Sequence, residues 1–351
     1  MDVGSCIALA TLGSCGLLSG LLRWCYRSHR LGRPPPSPKL PILDLVPQEV
    51  NRFKSSDGLL LKTCWWKGQC STQPPRAVVL LVHGFGEHSG LYDVLGKALA
   101  ARNVWAMGVD LRGFGHSQGR GFFRGQRYAD IPDDYSQDVE DAFHHCLAEL
   151  RESCKQFPDG CRELPPLFVF GHSLGAGAVM DFLKQEPNLI DETQRTEPLQ
   201  VVAESVRGVI LSGVGEGGDK TDILKNPVVR WGFHLLYNLV PDMKVGQIEP
   251  QDMTRSVAYH ERVENDPLCL TARAFRVGYI KVCLDVEDGD AIAERNGCKK
   301  TLQVASALVL YGSEDRFCSE KGARQIFEEI KSEDKQFTRF DGLFHNLVHE
   351  P

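Results

Sequence analysis

Apolar runs and helix-periodic segments alternate along most of the chain. The runs at 77–84 (AVVLLVHG) and 167–170 (LFVF) are almost continuously apolar, which is typical of strands that are buried on both faces of a parallel sheet. The segment 91–103 (LYDVLGKALAARN), by contrast, carries its apolar residues at helical spacing. Further strands are predicted at 104–113, 206–214 and 307–317, and further helices at 134–151 and 322–331. The alternation predicts an α/β fold in which a mostly parallel sheet carries helices on both faces.

Two segments depart from this alternation. The stretch 51–66 (NRFKSSDGLLLKTCWW) has the pattern of a β-hairpin, with Asp57 and Gly58 at the turn. The stretch 215–297 predicts helices and loops instead of strands, and it includes the apolar segment 228–240 (VVRWGFHLLYNLV). We interpret this stretch as a helical cap that is inserted over the carboxyl edge of the sheet. The alternative is a small helical subdomain with no gating role.

The N-terminal part of the chain differs in composition from the rest. Residues 1–30 form an apolar leader, in which positions 3–22 carry no charge and arginines follow from Arg23 onwards. About twenty uncharged residues suffice to span a bilayer, and basic residues on their C-terminal side favour a cytoplasmic location for the domain that follows. Residues 31–48 form a Pro-rich linker, and the folded domain is predicted at 49–351. We therefore expect membrane association; the alternatives are a cleaved signal or a loosely ordered leader, and hence a secreted or a soluble cytoplasmic protein.

The charge balance and the cysteine pattern exclude several classes of protein. The formal net charge is -6 and no long basic run occurs, so we do not expect nucleic acid as a partner. The 12 cysteines are scattered without a C-x-x-C pair, so a zinc ribbon is not predicted, and no cofactor is expected. A chain of 351 residues does not need disulfides to fold. We expect most cysteines to be reduced, with Cys154 and Cys161 as the best candidates for a bridge.

The pentapeptide Gly171–Gly175 (GHSLG) has the G-x-S-x-G pattern, and it lies between a predicted strand and a predicted helix. That context is the one that a nucleophile elbow requires. Such a turn strains the serine backbone and brings neighbouring backbone close, so small residues are needed on both sides. Ser173 is therefore the candidate nucleophile, and the N–H of Leu174 is a candidate donor to an oxyanion. A chance glycine-rich turn is the alternative.

A serine hydroxyl needs a base and an acid that orients the base, and after such an elbow the chain order is serine, acid, histidine. Glu314 and Asp315 follow a predicted strand, and both are candidate acids. His345 is the candidate base, with His349 as its rival. These histidines are four residues apart, but the glutamate of an HExxH motif is missing, so no metal site is predicted. The N–H of Phe85, in the loop after the strand at 77–84, is the second candidate oxyanion donor.

Six blocks of sequence carry a family resemblance over most of the chain. They are VHGFGEHSGLY, DLRGFGHSQG, GHSLG, ENDPLCLTARAF, YGSEDRFCSEKGA and FDGLFHNLVHE. In content and order they resemble blocks of the monoacylglycerol lipases and related lysophospholipases. The resemblance implies the α/β-hydrolase fold, with a cap over an apolar, acyl-binding tunnel. It implies Ser173 as nucleophile, Asp315 as acid and His345 as base, and it places Phe85 and Leu174 at the oxyanion positions.

The resemblance also implies a reaction. We expect a serine carboxylic ester hydrolase that converts a monoacylglycerol to fatty acid and glycerol through an acyl-enzyme, with a lipid ester and a membrane surface as its partners. Alternatives within this chemistry are a lysophospholipase, a general esterase and an acyltransferase. The family continues past its histidine into a closing helix, whereas six residues follow His345 here. We therefore expect His345 to be held less firmly, which leaves a weakly active or inactive lipid-binding member as an alternative from another class.

Overall fold

The computed structural model describes residues 49–68, 73–119, 133–157, 163–184, 206–215, 217–218, 226–240, 243–270, 275–277, 280 and 302–351. The predicted leader and Pro-rich linker, residues 1–48, lie outside this set, so both stay predictions. Within the described part of the chain, no helix is both long enough and apolar enough to cross a bilayer.

A single large sheet forms the centre of the fold. The strands are β1 (Glu49–Lys54), β2 (Leu60–Trp66), β3 (Ala77–Val82), β4 (Val104–Val109), β5 (Leu167–His172), β6 (Val206–Ser212), β7 (Lys244–Gly246), β8 (Phe275–Arg276), β9 (Ser306–Gly312) and β10 (Asp334–Phe340). Eight of them pair in the order β1-β2-β4-β3-β5-β6-β9-β10, and β7 pairs with β8 separately. In the large sheet β2 is antiparallel to β1 and β4, and the other pairings are parallel. The prediction of a mostly parallel sheet is confirmed.

β1 and β2 form the predicted hairpin. Lys54 pairs with Leu60 at its closed end. Gly58 in the turn has a φ of +92°, which lies in the left-handed region where glycine is favoured. The Leu59 N–H donates to the Ser55 hydroxyl oxygen at 2.9 Å, which closes the turn. The local turn chemistry thus explains why the sequence pattern identified this hairpin correctly.

The helices lie on both faces of the sheet. They are α1 (Asp93–Ala100), α2 (Asp133–Lys155), α3 (Leu174–Lys184), α4 (Pro227–Leu239), α5 (Pro250–Met253), α6 (Val257–Asn265) and α7 (Glu320–Glu329), with 3₁₀ turns at Ser89–Tyr92 and Leu347–His349. Buried residues of α2 and α3 form one hydrophobic core with the sheet, and residues of α1 and α6 contribute to a second core.

The residues of β3 show how the two cores use one strand. Val78 and Leu80 belong to the core with α2 and α3, whereas Val79 and Leu81 belong to the core with α1 and α6. Successive side chains of a strand point to opposite faces, so a strand that is covered on both faces needs a continuous apolar run. The apolar pattern at 77–84 therefore predicted the layered architecture correctly.

The region predicted as a cap, 215–297, contains α4, α5, α6 and the β7–β8 pair among its described residues, so the prediction of helices is confirmed there and the prediction that strands are absent is wrong. α6 packs on the rest of the fold through Tyr259 and Val263. α4 differs, because it has no buried residue, and Trp231 and Leu239 on it are 66% and 67% exposed. Since this region is described only in part, its role as a cap stays a prediction.

A buried arginine ties the β1–β2 hairpin to α2. Arg112 follows β4 and its side chain is 0% exposed. The guanidinium lies 2.8 Å from an Asp57 oxygen, 2.9 Å from an Asp134 oxygen and 2.7 Å from an Asp138 oxygen. Burial would lower the pKa of Arg112, but the three carboxylates outweigh burial and raise it. The loop after β4 is therefore anchored by a charged cluster as well as by apolar packing.

The state of the described cysteines agrees in part with the prediction that most are reduced and that Cys154 and Cys161 are the best candidates for a bridge. Cys64, Cys146, Cys269 and Cys318 are buried and free. Cys154, by contrast, is disulfide-bonded, at the position where the sequence analysis placed the best candidate for a bridge. Its expected partner Cys161 lies outside the described residues.

Candidate active site

Ser173 lies in a sharp turn between β5, which ends at His172, and α3, which begins at Leu174. Its φ of 51° is in the left-handed region, where a residue with a side chain carries about 1–3 kcal/mol of strain. The Ser173 N–H donates to the Ser212 carbonyl oxygen at 2.9 Å, and the Ser173 carbonyl oxygen accepts from the Ala176 N–H at 2.9 Å. The turn therefore has the strained geometry that the G-x-S-x-G pattern predicts.

Two glycines make room for this turn. A Cβ on Gly171 would lie 2.6 Å from the Ala176 Cα, and a Cβ on Gly175 would lie 2.5 Å from the His83 carbonyl oxygen. Both contacts are too short for a real side chain, so both positions require glycine. The second contact also shows that the loop after β3 packs directly on the turn.

Asp315 and His345 form a buried acid–base pair. Asp315 follows β9, His345 follows β10, and the His345 Nδ1 lies 2.8 Å from the Asp315 Oδ2. The Asp315 Oδ1 accepts hydrogen bonds from the Phe317 and Cys318 N–H groups at 2.8 and 2.9 Å. Glu314, the alternative acid, is exposed. Of the two adjacent carboxylates, the structure therefore pairs Asp315 with the histidine.

The two members of the pair shift each other's pKa in opposite directions. Burial alone would raise the pKa of Asp315, but the charge and hydrogen bond of His345 outweigh burial and hold it below its ordinary value. Burial alone would lower the pKa of His345, but the charge and hydrogen bond of Asp315 raise it well above its ordinary value. Both shifts favour a carboxylate beside an imidazolium, which is the charge state that forms when a histidine accepts a proton from a nucleophile.

His345 lies against the residue that precedes the serine. The ring centroids of His172 and His345 are 4.9 Å apart. Gly213, with a φ of +60°, lies beside both rings, and a Cβ there would be 2.9 Å from the His345 Cε1 and 3.0 Å from the His172 Cε1. The structure thus brings Asp315 and His345 to the turn that carries Ser173.

His349, the rival base, has different surroundings. Its ring stacks on Tyr259, with centroids 4.6 Å apart, and meets Tyr92 edge to face at 5.7 Å. Burial lowers the pKa of His349 to about 4, and the nearby charge of Glu87 opposes this shift only in part. At neutral pH this imidazole is uncharged and enclosed by aromatic rings. His345, and not His349, is the histidine that contacts the acid.

The loop after β3 holds the peptide that carries the Phe85 N–H. The Leu111 N–H donates to the His83 Nε2 at 3.0 Å, so the proton of this neutral imidazole is on Nδ1. That Nδ1–H donates to the Gly84 carbonyl oxygen at 2.8 Å, which orients the Gly84–Phe85 peptide. Burial lowers the pKa of His83 and so favours this neutral form. Phe85 and Leu174, the two predicted oxyanion residues, are both half-buried.

The turn that carries His345 is anchored on both sides of the histidine. The Phe344 N–H donates to the Glu350 Oε1 at 2.8 Å, and the Glu350 side chain is 2% exposed. The Asn346 N–H donates to the Met253 carbonyl oxygen at 2.7 Å. A hydrogen bond on each side of His345 therefore holds this turn on the rest of the fold.

A buried carboxylate that the sequence pattern did not identify lies next to the site. Glu87 is 0% exposed, and it accepts hydrogen bonds from the Gly84 N–H at 3.0 Å and from the Asn346 side-chain amide. It lies in the VHGFGEHSGLY block, where an isolated glutamate has the pattern of a surface residue. Burial of such a residue depends on partners that are distant in sequence, which a local pattern does not contain.

Two groups in the described part of the chain have the composition of metal ligands. They are His88, Asp266 and Cys269, and Asp315, Cys318 and His345, each with ligand atoms within 4.8 Å of one another. In the first group the His88 Nε2 lies 2.9 Å from an Asp266 oxygen, and the second contains the acid–base pair. Hydrogen bonds to carboxylates thus account for both imidazoles without an ion.

Comparison with known proteins decides the family. Residues 73–351 match the Hydrolase_4 family, which is described as "Serine aminopeptidase, S33". The chain belongs to this family. It is 28% identical to the monoglyceride lipase of Homo sapiens over 309 residues, which cover 86% of this chain and 85% of that protein. It is 27% identical to the monoglyceride lipase of Mus musculus over 306 residues, with the same coverage of the two chains, 86% and 85%.

Solved structures share the fold. A soluble variant of monoglyceride lipase from Saccharomyces cerevisiae, solved in complex with a substrate analog, has a TM-score of 0.62 and 21% identity, and the match covers 90% of this chain and 92% of that one. The monoacylglycerol lipase of Paleococcus ferrophilus has a TM-score of 0.56 and 22% identity, and the match covers 83% and 92%. The expected α/β-hydrolase fold and the family resemblance are confirmed.

Proposed function

We propose that the protein is a serine carboxylic ester hydrolase that converts a monoacylglycerol to a fatty acid and glycerol. The observation that carries the proposal is the buried pair of Asp315 and His345, 2.8 Å apart, beside the strained turn of Ser173. The substrate class is supported by the relatives in Homo sapiens and Mus musculus, which are named monoglyceride lipases.

In the proposed reaction Ser173, His345 and Asp315 each have a defined role. The Ser173 Oγ attacks the ester carbonyl carbon while His345 accepts the hydroxyl proton. Asp315 stabilises the imidazolium, which then delivers the proton to the glycerol oxygen as the carbon–oxygen bond breaks. Glycerol leaves and an acyl-enzyme remains. Water attacks the acyl carbon, His345 takes the water proton, and its return to the Ser173 Oγ releases the fatty acid.

Two backbone N–H groups complete the proposed site. The Phe85 N–H and the Leu174 N–H would donate to the oxyanion of each tetrahedral intermediate. The hydrogen bond from His83 to the Gly84 carbonyl oxygen supports this role for Phe85, because it orients the peptide before the substrate arrives. Removal of one such donor lowers turnover by about 10²–10³-fold in comparable enzymes.

We also propose that 215–297 forms a cap and that the protein docks on a lipid surface. α4 carries Val228, Trp231, Leu235 and Leu239 at spacings of three and four residues, and all four are exposed. An apolar stripe of this kind inserts into the interface between lipid headgroups and acyl chains. The uncharged leader at 3–22 would add an anchor, with the folded domain on the cytoplasmic side.

The experiment compares the full chain with Ser173→Ala. Labelling by a fluorophosphonate probe is measured together with turnover of monoacylglycerols, lysophospholipids and short-chain esters, each with and without an added alcohol acceptor. Ser306→Ala is the matched control, because Ser306 begins β9, at the end of that strand opposite to Asp315. We expect Ser173→Ala to lose labelling and glycerol release and Ser306→Ala to retain both.

The outcomes separate the alternatives. Unchanged ester hydrolysis by a folded Ser173→Ala protein would refute the nucleophile. Absence of labelling in the unmodified chain would favour a lipid-binding member without activity. Faster release from lysophospholipids than from monoacylglycerols would favour a lysophospholipase, and transfer of the acyl group to the added alcohol in place of water would favour an acyltransferase.

A further inference from the structure

Glu87 is a fully buried carboxylate with a complete set of hydrogen-bond donors. Its Oε2 accepts from the Gly84 N–H at 3.0 Å and from the Tyr92 hydroxyl at 2.9 Å. Its Oε1 accepts from the Tyr259 hydroxyl at 2.8 Å and from the Asn346 side-chain amide. Every partner is a donor, so the carboxylate is matched to an ionised state that accepts on both oxygens.

Two of the four donors, Gly84 and Tyr92, lie within five positions of Glu87, and the other two come from distant parts of the chain. Gly84 precedes Phe85, and Asn346 follows His345 and lies 259 positions from Glu87. Tyr259 belongs to α6, 172 positions away. One side chain therefore joins the loop of the candidate oxyanion donor, the turn of the candidate base and the region predicted as a cap.

Burial of the negative charge of Glu87 is energetically unfavourable, and a role in packing alone would not require a charged residue. Burial alone would raise the pKa of Glu87, but His172, His349 and the hydrogen bonds outweigh burial and lower it to about 2. A buried charge without a cationic partner is destabilising unless its oxygens are fully hydrogen-bonded, and a neutral side chain of similar size avoids that cost. In the described part of the chain no lysine or arginine makes a salt bridge to Glu87, so the direct contacts that compensate its charge are the four hydrogen bonds.

We propose that Glu87 is a positioning residue, which holds the Gly84–Phe85 loop and the His345 turn in a fixed relation to each other. The inference rests on the proposed function, since it assumes that His345 is the base and Phe85 an oxyanion donor. The base and the oxyanion donor must act on the same tetrahedral intermediate. A displacement of about 1 Å between two such groups lowers the rate by about 10²-fold.

The test removes the negative charge at position 87 and then places a negative charge at position 346, on the other side of the contact. Glu87→Gln leaves an amide N–H₂ group facing two donors, so one of the two loops loses its acceptor. Asn346→Asp places two carboxylates in contact. In the double variant Glu87→Gln/Asn346→Asp, the glutamine N–H₂ group donates to the new aspartate, which restores the contact with its polarity reversed. Asn346→Ala removes the contact between the His345 turn and Glu87, keeps the backbone hydrogen bonds of that turn, and leaves three donors on Glu87.

The expected result is a pattern across these variants. We expect kcat and the fluorophosphonate labelling rate to fall by about 10²-fold in Glu87→Gln and in each Asn346 single variant, with KM within about threefold. The double variant should recover at least tenfold relative to either of its single variants. Glu140→Gln is the matched control, because Glu140 is a buried glutamate of α2 that contacts His144 and neither loop; its kinetics should not change.

A pH–rate profile separates positioning from a role in stability alone. Among the described residues, the titratable groups that face His345 are Asp315, Cys318 and His172. If the His345 turn loosens, its contact with Asp315 weakens, and the acid limb of kcat/KM in Glu87→Gln and Asn346→Ala moves to lower pH. Thermal unfolding identifies the temperature range in which each variant is folded.

The proposal would be overturned if the folded variants kept their kcat, their labelling rate and the acid limb of kcat/KM. It would also be overturned if the double variant were no faster than its single variants. The failure of the proposed function is a separate result, namely ester hydrolysis that survives in Ser173→Ala. If Ser173→Ala is inactive and Glu87→Gln labels at the original rate, only the positioning role is refuted.

Discussion

Replacement of Gly175 by alanine tests whether the packing of the β3 loop on the serine turn sets the geometry of the site. The new Cβ would lie 2.5 Å from the His83 carbonyl oxygen and 2.6 Å from the Val82 carbonyl oxygen. Both atoms belong to the backbone, so no side chain can rotate away to relieve the contact. To reach an ordinary C–H···O separation of about 3.3 Å, α3 or the loop must move by about 0.8 Å.

That movement has two measurable consequences. Overpacking of a close-packed interior costs about 1–3 kcal/mol of unfolding free energy, which the better helix propensity of alanine offsets by less than about 1 kcal/mol. A displacement of nearly 1 Å between Ser173 and the Phe85 loop lowers the rate by about 10²-fold. We therefore expect Gly175→Ala to lower the free energy of unfolding and to slow fluorophosphonate labelling by about that factor.

Gly177 provides the control within the same helix. A Cβ at Gly177 meets no atom within 4 Å. Gly177→Ala should stabilise the protein by up to about 1 kcal/mol, because alanine is the better helix former, and should label at the original rate. Both variants are compared by urea unfolding and by the time course of labelling. Equal stability and equal labelling rates for Gly175→Ala and Gly177→Ala would show that the close contact does not constrain the site.

Three further predictions concern the acid, the buried arginine and the exposed helix. Asp315 raises the pKa of His345, so the acid limb of kcat/KM should lie above the ordinary histidine pKa of about 6.5 and should move to lower pH in Asp315→Asn; an unmoved limb would contradict the pairing. Arg112→Met leaves three carboxylates without their cation and should lower the urea-unfolding free energy by about 3–5 kcal/mol; a loss below about 1 kcal/mol would show that the cluster is not stabilising. Trp231→Ser should weaken sedimentation with phospholipid vesicles several-fold and leave hydrolysis of a soluble short-chain ester unchanged; equal sedimentation would exclude α4 as a docking element.

The architecture could be predicted because the forces that determine it act locally. The run at 77–84 is apolar at every position of β3, and only a strand covered on both faces buries such a run. The GHSLG pattern could be interpreted for a similar reason. Gly171 is required by the backbone of Gly175 and Ala176 in the same turn, so that need for a small residue is local, whereas Gly175 is required by backbone atoms of Val82 and His83, which are distant in sequence.

Long-range partners were not predictable in the same way. The state of Glu87 depends on Tyr259 and Asn346, 172 and 259 positions away, and a single sequence contains no signal that joins them. The choice of Asp315 over Glu314 likewise came from the family resemblance, because spacing alone left both open. The structure separates them by burial, since the Asp315 side chain is 0% exposed and Glu314 is exposed.

The two C-terminal histidines show why residue type and chain order are insufficient to identify a base. His345 and His349 follow the same strand, and burial alone would lower the pKa of both. Their pKa values diverge because of Asp315, whose Oδ1 accepts from two backbone N–H groups and whose Oδ2 contacts His345. His349 lies between Tyr92 and Tyr259 instead, where burial outweighs the nearby charge of Glu87 and lowers its pKa. A base must be stabilised in its charged form, so the group that selects the histidine lies 30 positions upstream, in the loop after β9.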